Sequence, residues 1–299
     1  MNGPSTVWIN GRLEPAERAL ISVTDRGFQV GDGIFETLLV AGGRVLELAL
    51  HAARLRASAT VMAIPLPSDL EHFLGQAIAD LCHANRLDGI DTKAAVRVTV
   101  SRGAVDGRAL FPPGDVKPNI VIQGWRADPG PPEVLTHGLN LAISAVRRDP
   151  TSPLATVKTT SRADFVYAQL EAHRRGADDA LFLTTEGHLA EATSASLFLV
   201  EGKGLATPSL DCGILVSTTR EWVISVGGPG LGLAVRAAHL TPEDLFVADE
   251  AFLASSVAGI VPIARVDGRP IGAGTPGVWS LRLRGLRQSA VLDKLGRST

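Results

Sequence analysis

The stretch VKTTSRADFVYAQLEAHRRGADDALFLTTEGHLAEATSASLFLV, residues 157–200, contains the strongest fold signals of this chain. Helical spacing over about 161–175 ends at Gly176, a residue that tolerates the left-handed backbone of a helix C-cap. Short apolar runs follow, separated by turn signals at EGH (186–188) and EGKG (201–204), and these predict strands. The stretch therefore predicts a helix followed by a series of short strands.

The sequence before this stretch also groups its strands and helices. Strands are predicted at VWING and ALISV, and a hairpin is predicted to turn at Gly42–Gly43. Helical spacing covers residues 49–62 and 69–86, and strands are predicted again at AAVRVTV and NIVIQGW. The segment ADPGPPE, residues 127–133, predicts a linker because its prolines and glycine break regular structure.

The second half opens on the predicted strand LNLAISAV. Thr241–Pro242 predicts a helix start, and a last amphipathic helix is predicted from about 276. Grouped rather than alternating elements favour an α+β fold class. We expect a smaller N-terminal α+β domain over residues 1–126 and a larger C-terminal domain over 134–299.

Bulk composition narrows the class of function. The chain has 299 residues and a formal net charge of −2, without the basic stripe that nucleic acid or an anionic membrane would need. The sequence shows no signal-peptide pattern and no apolar run of spanning length, and its two cysteines form no CxxC motif. These features predict a cytoplasmic protein. No metal site is predicted, since the seven histidines lack ligand spacing.

Lysine is scarce in this sequence, and Lys158 stands apart from the other four. It is predicted to lie between an apolar strand and the helix that starts near Ser161. A lysine at a strand end that faces a cavity is desolvated, which frees its amine as a nucleophile toward an aldehyde. The local sequence alone leaves open a solvated strand-end lysine instead.

Further motifs occur in a fixed order along nearly the whole chain. They are DRGFQVGDGIFET (25–37), HAARL (51–55), the lysine segment, LAEATSASLF (189–198), a threonine-rich helix start and ADEAFLASSVAGIVPI (248–263). This ordered set resembles the class IV aminotransferases, the fold-type IV pyridoxal-phosphate enzymes. That family includes branched-chain aminotransferases, D-amino-acid aminotransferases and aminodeoxychorismate lyases.

The resemblance implies an architecture and a cofactor. It implies an N-terminal α/β sandwich, and a C-terminal pseudo-barrel that carries the reactive lysine. It also implies a homodimer and bound pyridoxal 5'-phosphate, held as a Schiff base on Lys158. Lys158 would then move the proton between the substrate α carbon and the cofactor.

The resemblance also implies which residues bind the cofactor. Glu191 would pair with the pyridine nitrogen and keep it protonated. Arg54 would bind the phosphate, since a guanidinium fork suits a phosphate dianion. The other implied contacts are hydroxyl residues, at the helix start or in a second loop that reaches the phosphate or the substrate carboxylate: Ser217, Thr218, Thr219, Ser255 and Ser256.

Four positions depart from the family pattern. Phe35 replaces the tyrosine of some D-amino-acid enzymes. Ala163 stands where branched-chain enzymes place a tyrosine, and we expect Arg162 to compensate by contacting the oxygen of the cofactor ring. Ser196 and Ser217 replace a usual asparagine and glycine. The departures predict an atypical member that keeps the core chemistry.

The loop SRGAVDGRALFPP, residues 101–113, carries the substrate predictions. Arg108 is the predicted clamp for a substrate carboxylate, with Arg102 second. Leu110 occupies the place of a histidine in the D-amino-acid enzymes, and we expect it to line an apolar pocket with Phe28 and Phe35.

The resemblance favours transamination between an amino acid, branched-chain or D, and a 2-oxo acid. The alternative is an aminodeoxychorismate lyase that releases pyruvate and 4-aminobenzoate. A non-catalytic binding protein is a remote alternative.

Overall fold

The computed structural model describes residues 5–107, 110–112, 114–127 and 133–296. Contacts between Cα atoms divide the chain into two units. The first unit holds the described residues up to 127 together with 157–162, and the second holds 133–156 and 163–296. The lysine segment therefore groups with the first unit, whereas we expected it in the C-terminal domain.

The first unit is built on a six-stranded sheet in the order β2-β1-β6-β5-β3-β4, and all its pairings are antiparallel. Its strands are β1 (Thr6–Ile9), β2 (Arg12–Pro15), β3 (Gly33–Ala41), β4 (Arg44–Val45), β5 (Lys93–Ser101) and β6 (Asn119–Arg126). Its helices are α1 (Arg26–Val30), α2 (Leu48–Met62) and α3 (Leu70–Ala84). Apolar residues of α2, α3 and the sheet form one core that includes Leu55, Ile78 and Val96.

The second unit contains a nine-stranded mixed sheet that closes on itself. The order is β12-β11-β10-β13-β14-β7-β8-β9, with β15 beside β14, and β9 also pairs with β10. Six of these strands therefore form a ring. The strands are β7 (Leu139–Arg148), β8 (Asp179–Thr184), β9 (Leu189–Ala192), β10 (Ser196–Glu201), β11 (Gly204–Pro208), β12 (Ala234–Ala238), β13 (Glu250–Ser255), β14 (Gly259–Val266) and β15 (Arg269–Pro270).

Helices of the second unit connect these strands. They are α4 (Glu133–His137), α5 (Ala163–Arg174), α6 (Thr218–Trp222), α7 (Gly228–Gly230), α8 (Pro242–Val247) and α9 (Val278–Lys294). A 3₁₀ helix spans Leu210–Cys212, and a π-helical turn, Val223–Gly227, joins α6 to α7. Within the described residues, no helix combines the length and apolar content needed to cross a bilayer.

The predicted α+β class is confirmed, as are most of the predicted elements. The hairpin turns at Gly42–Gly43, where both glycines have positive φ. Thr241 caps α8 through a capping box, with Pro242 at the first helical position. Two local predictions are wrong. ALISV (19–23) is not a strand, and its Leu20 and Val23 are 79% and 74% exposed. Residues 151–156 before the lysine form turns rather than a strand.

Backbone hydrogen bonds to the start of β3 hold the lysine segment in the first unit. The Phe35 N–H donates to the Lys158 carbonyl at 2.9 Å, and the Thr160 N–H donates to the Gly33 carbonyl at 2.8 Å. A side chain at Gly33 would not fit, because a Cβ there would lie 2.8 Å from the Val100 carbonyl and 2.9 Å from the Thr160 hydroxyl. The lysine backbone is thus fixed by a strand more than 120 residues earlier in the sequence.

Candidate active site

Three cationic side chains surround the ring of Phe35 in the first unit. The distances to the ring centroid are 3.8 Å from Arg97 Cζ, 4.7 Å from Lys158 Nζ and 5.7 Å from Arg162 Cζ. Phe35 itself is buried. An aromatic face attracts cations through its quadrupole, so the ring helps to gather these groups. The structure therefore brings the predicted residues Phe35, Lys158 and Arg162 together.

Arg97 is a member of this cluster that sequence analysis missed. Its Nε donates to the Thr99 hydroxyl at 3.2 Å, and burial lowers the pKa of its guanidinium. Over the described ranges, Arg97 forms no ion pair with a carboxylate. A partly desolvated cation without a counter-charge favours the binding of an anion. The available signal was an arginine in the alternating run AAVRVTV, where Val96 and Val98 face the core and Arg97 points to the opposite face.

Predicted phosphate ligand Arg54 belongs to a buried network with Glu36 and His51. Arg54 donates to the Glu36 carboxylate from Nε at 2.7 Å and from Nη2 at 2.6 Å, and His51 Nδ1 lies 2.7 Å from the same carboxylate. Burial alone would raise the pKa of Glu36, but the hydrogen bonds and charges of Arg54 and His51 lower it to about 2. The carboxylate stays ionised and fixes the direction of the Arg54 guanidinium.

Arg102 is not available as a substrate clamp, which corrects the sequence prediction. Its guanidinium donates to both carboxylate oxygens of Asp32, at 2.7 and 3.0 Å. It also donates to the carbonyls of Met62 at 2.6 Å and Ala63 at 2.9 Å. The side chain is buried and its donors serve the fold, so Arg102 joins the loop after β5 to the end of α2.

The other substrate predictions receive little support from this chain alone. Arg108, the first clamp candidate, lies outside the described residues. Leu110 and Phe28, which we expected to line an apolar pocket, are 81% and 76% exposed. Only Phe35 of that predicted set is buried.

In the second unit, Glu191 lies on β9, where that strand meets β10. It is buried, and its Oε2 accepts a hydrogen bond from the Leu215 N–H at 3.2 Å. Its Oε1 lies 3.5 Å from Nη2 of Arg148, which sequence analysis did not single out. Arg148 also donates to the carbonyls of Ala155 and Gly213. Glu191 is therefore held by two segments and does not occupy a solvated turn.

The hydroxyl residues Ser217, Thr218 and Thr219 lie at the start of a continuous helical run from Thr218 to Gly230. Ser217 is the N-cap, and its hydroxyl accepts from the Arg220 N–H at 3.2 Å. The Thr218 hydroxyl lies 3.2 Å from the Ser256 hydroxyl. Ser255, the last residue of β13, is half-buried.

The Thr219 hydroxyl supplies a test of whether this helix start fits a phosphate. It is fully buried, and among the described residues it has no hydrogen-bond partner. A buried hydroxyl without a partner costs free energy, and an oxyanion at the helix N-terminus would satisfy it. The helix start therefore fits a phosphate group.

Neither cysteine has the properties of a catalytic nucleophile. Burial raises the pKa of the Cys82 thiol to about 11 and also raises the pKa of Cys212. A thiol of this kind carries very little thiolate at neutral pH.

Comparison with known proteins identifies the family. The sequence pattern of the amino-transferase class IV family matches residues 33–266, so the chain belongs to this family. The branched-chain-amino-acid aminotransferase of Salmonella typhimurium is 28% identical over 305 residues, which cover 97% of this chain and 95% of that protein. An aminodeoxychorismate lyase of Bacillus subtilis is 28% identical over 261 residues, which cover 87% of this chain and 86% of the lyase.

A solved structure gives the same result for the fold. The branched-chain amino acid aminotransferase of Escherichia coli matches with a TM-score of 0.89 and 26% identity, over 99% of this chain and 96% of that one. The predicted family, fold type and enzyme class are confirmed. Enzymes of this class use pyridoxal phosphate, so the predicted cofactor is confirmed for the family.

Replacement of Glu36 by Gln tests the buried network. We expect Glu36→Gln to lower the free energy of unfolding at pH 7 by about 3–5 kcal/mol, because it leaves the buried Arg54 without its counter-charge. Urea denaturation measures this loss. Glu14→Gln, which breaks the exposed pair with Arg12, should cost less than about 1 kcal/mol.

The pH dependence of that difference has a fixed sign. The pKa of Glu36 is lowered in the folded state from 4.5 to about 2, so the stability it contributes is present above about pH 4.5 and is lost as the pH falls toward 2. The wild type should therefore lose its advantage over Glu36→Gln across this interval. A difference that stays constant between pH 5 and pH 2 (roughly the window set by linkage) would contradict the assignment.

Proposed function

We propose that this chain is a branched-chain amino acid aminotransferase, which transfers the α-amino group of an aliphatic amino acid to a 2-oxo acid. The observation that carries the proposal is the position of Lys158. Its amine lies 4.7 Å from the centroid of the buried Phe35 ring, and the guanidinium of Arg97 lies against the same ring. Hydrogen bonds to β3 fix the backbone of this lysine, so its side chain extends from a defined point of the sheet.

The chemistry that pyridoxal phosphate would supply here is an electron sink for the negative charge left when the substrate α carbon loses its proton. We assign Lys158 as the residue that holds the cofactor and moves the proton at that carbon. Glu191 is assigned to hold the proton on the pyridine nitrogen, and its hydrogen bond from Leu215 fixes the direction of the carboxylate. Arg162 remains a predicted contact to the oxygen of the ring.

The phosphate is assigned to the helix start in the second unit, and the role of Arg54 in binding it stays a prediction. Ser217, Thr218 and Thr219 offer N–H groups and hydroxyls at the positive end of a helix. The buried Thr219 hydroxyl supports this assignment, because a phosphate oxygen would supply its missing partner. Ser256 joins the group through Thr218, and Ser255 remains a prediction.

Arg97 is the residue that we assign to a carboxylate of the substrate. The amino acid and the 2-oxo acid both carry a carboxylate, and a guanidinium binds one in a bidentate manner. Arg97 is half-buried, lies over the same Phe35 ring as the Lys158 amine and has no ion-pair partner in the described structure. Arg108 stays a prediction for the same role.

A lyase reaction is the second candidate function. The loop SRGAVDGRALFPP carries arginines in an arrangement similar to that of the lyase-type members, and the Bacillus subtilis lyase aligns along 87% of this chain. In that reaction the same lysine chemistry would end in release of pyruvate and 4-aminobenzoate, and no 2-oxo acid would be consumed.

We further propose that the chain functions as a homodimer. Two segments of the first unit, residues 20–30 and 110–111, carry six large apolar side chains that are at least half exposed, and we call these six the apolar face: Leu20, Val23, Phe28, Val30, Leu110 and Phe111. Their segments are joined by hydrogen bonds from Arg26 to the Leu110 carbonyl and from the Val105 N–H to the Thr24 carbonyl. Exposed apolar side chains on two segments joined in this way favour association with another protein surface.

Cytoplasmic placement is a further proposal. Cys82 and Cys212 are both free and buried, which suits a reducing compartment. Cell fractionation measures the placement, and recovery outside the cytoplasmic fraction would contradict it.

An amino-donor screen with purified protein tests the proposed reaction. We expect transfer from leucine, isoleucine or valine to 2-oxoglutarate, followed as bleaching of the cofactor absorbance and as product formation. Both enantiomers of each donor belong in the screen, as does aminodeoxychorismate without an acceptor.

Lys158→Ala should lose at least about a thousandfold in kcat, because it lacks the amine that holds the cofactor and moves the proton. Lys203→Ala, in the exposed turn before β11, is the matched control and should keep full activity. Pyruvate and 4-aminobenzoate formed without an acceptor would favour the lyase, and full turnover by Lys158→Ala would exclude both functions.

The role of Arg97 is tested by Arg97→Met. We expect KM for the carboxylate substrate to rise by about tenfold or more, since a charge-assisted hydrogen bond is worth about 1.5–3 kcal/mol. Steady-state kinetics separate this effect from kcat, which should change less. Arg126→Met, on the adjacent strand β6 and exposed, is the control. An unchanged KM in Arg97→Met would remove Arg97 from the substrate site.

Charge placed on the apolar face tests the homodimer. We expect sedimentation velocity to show a dimer for the wild type and a monomer for Phe28→Glu, because a buried carboxylate would oppose association. Ile90→Glu, an exposed apolar position outside the apolar face, should remain dimeric. A wild-type monomer at micromolar concentration would exclude the proposal.

A further inference from the structure

Asp211, Cys212 and His239 come together on the second unit, outside the residues assigned to the cofactor. One ligand atom from each of the three lies within 4.8 Å of the others. His239 Nε2 is 3.0 Å from Asp211 Oδ1. Among the described residues, these are the three His, Cys, Asp or Glu side chains whose ligand atoms lie close enough together to hold one metal ion.

The sheet topology produces this cluster. Strands β11 and β12 run parallel with Pro208 opposite Ala238, so both strands end at the same edge of the sheet. The Ser209 N–H donates to the Ala238 carbonyl at 3.0 Å and extends the pairing by one residue. The residues that follow, the 3₁₀ helix Leu210–Cys212 after β11 and His239 after β12, therefore lie next to each other. The backbone therefore sets the spacing of the three side chains.

A tight turn keeps Cys212 in place. Gly213 ends the 3₁₀ helix with φ of 67°, in the left-handed region. A Cβ at this position would lie 2.8 Å from Cα of Pro150, so the backbone approaches another segment closely. Because Gly213 packs closely against Pro150, the backbone next to Cys212 has little freedom to move.

The donor set selects the kind of ion. A thiolate, an imidazole and a carboxylate together suit Zn²⁺, whereas Mg²⁺ and Ca²⁺ prefer oxygen ligands alone. Cys212 is buried, but the side chains of Asp211 and His239 are 66% and 49% exposed, so an ion has access from solvent. His188 stacks on His239 with ring centroids 4.9 Å apart and adds a further imidazole at the same edge.

We propose that Asp211, Cys212 and His239 form a Zn²⁺ site with one position open to water. On binding, the Cys212 sulfur loses its proton to solvent and bonds to the metal, and His239 bonds through a ring nitrogen. The site lies three residues before Leu215, whose N–H holds Glu191. A bound ion would therefore restrain the loop that supports Glu191, and it would do so whichever reaction the enzyme catalyses.

Metal titration of the untagged holoenzyme tests the site without an activity assay. Cd²⁺ is the first probe, because a Cd²⁺–thiolate bond gives a charge-transfer absorbance in the ultraviolet. We expect one equivalent to produce this absorbance in the wild type and in Cys82→Ser, and none in Cys212→Ser. Calorimetry with Zn²⁺ should show one site, weakened at least about tenfold by His239→Asn and by Asp211→Asn, since each removes one ligand.

Controls separate this site from other surface pairs. His239 and Asp211 are exposed, so their variants should fold even if Cys212→Ser does not. His83→Asn removes a comparable exposed histidine, which lies 2.9 Å from Asp88, and it should leave Zn²⁺ affinity unchanged. Absence of the Cd²⁺–thiolate band in the wild type would overturn the proposal. The same holds if the band persists in Cys212→Ser, or if Zn²⁺ affinity is equal in the wild type, His239→Asn and Asp211→Asn.

Discussion

The candidate site of the first unit depends on the backbone pairing between the lysine segment and the start of β3. Two hydrogen bonds, from Phe35 to Lys158 and from Thr160 to Gly33, join residues that are far apart in the sequence. The pairing places the Lys158 side chain against Phe35, a residue of the strand that also holds its backbone. The same strand contributes Glu36, which directs Arg54 from the neighbouring helix. One strand thus sets the position of the lysine, its aromatic neighbour and the predicted phosphate ligand.

The sequence predicted the fold class and most elements because hydrophobic periodicity and turn residues act locally. It failed at ALISV, where an apolar run lies exposed on the surface, since periodicity cannot tell a core strand from an apolar surface segment. It also predicted a strand before Lys158, where the chain forms turns. The motifs, by contrast, predicted Lys158 and its family from residue identity and order, and the family is confirmed by comparison.

Arginine roles show the limit of sequence analysis most clearly. Arg102 lies in a loop with a family resemblance, yet Asp32, a residue 70 positions away, occupies its guanidinium. Arg97 lies in an ordinary alternating strand, yet it is the cation beside Phe35 that lacks an ion-pair partner in the described chain. Whether an arginine serves the fold or a ligand is decided by contacts between distant segments, and no local pattern encodes these. The proposed zinc ligands escape histidine-spacing rules for the same reason, since two parallel strands bring them together.

The closure of the second-unit sheet through β9 and β10 has a consequence for Glu191. In a ring of strands, each strand is held on both sides, so none can slide along a free edge. Because side chains alternate between the two faces of a strand, a slip of one residue would turn Glu191 to the opposite face. The short connection between Ala192 and Ser196, with Glu191 opposite Ser196, leaves no slack to absorb such a slip. An insertion or deletion of one residue there would turn the Glu191 carboxylate, which we assign to the pyridine nitrogen, to the opposite face of the sheet, even if the ring itself survived.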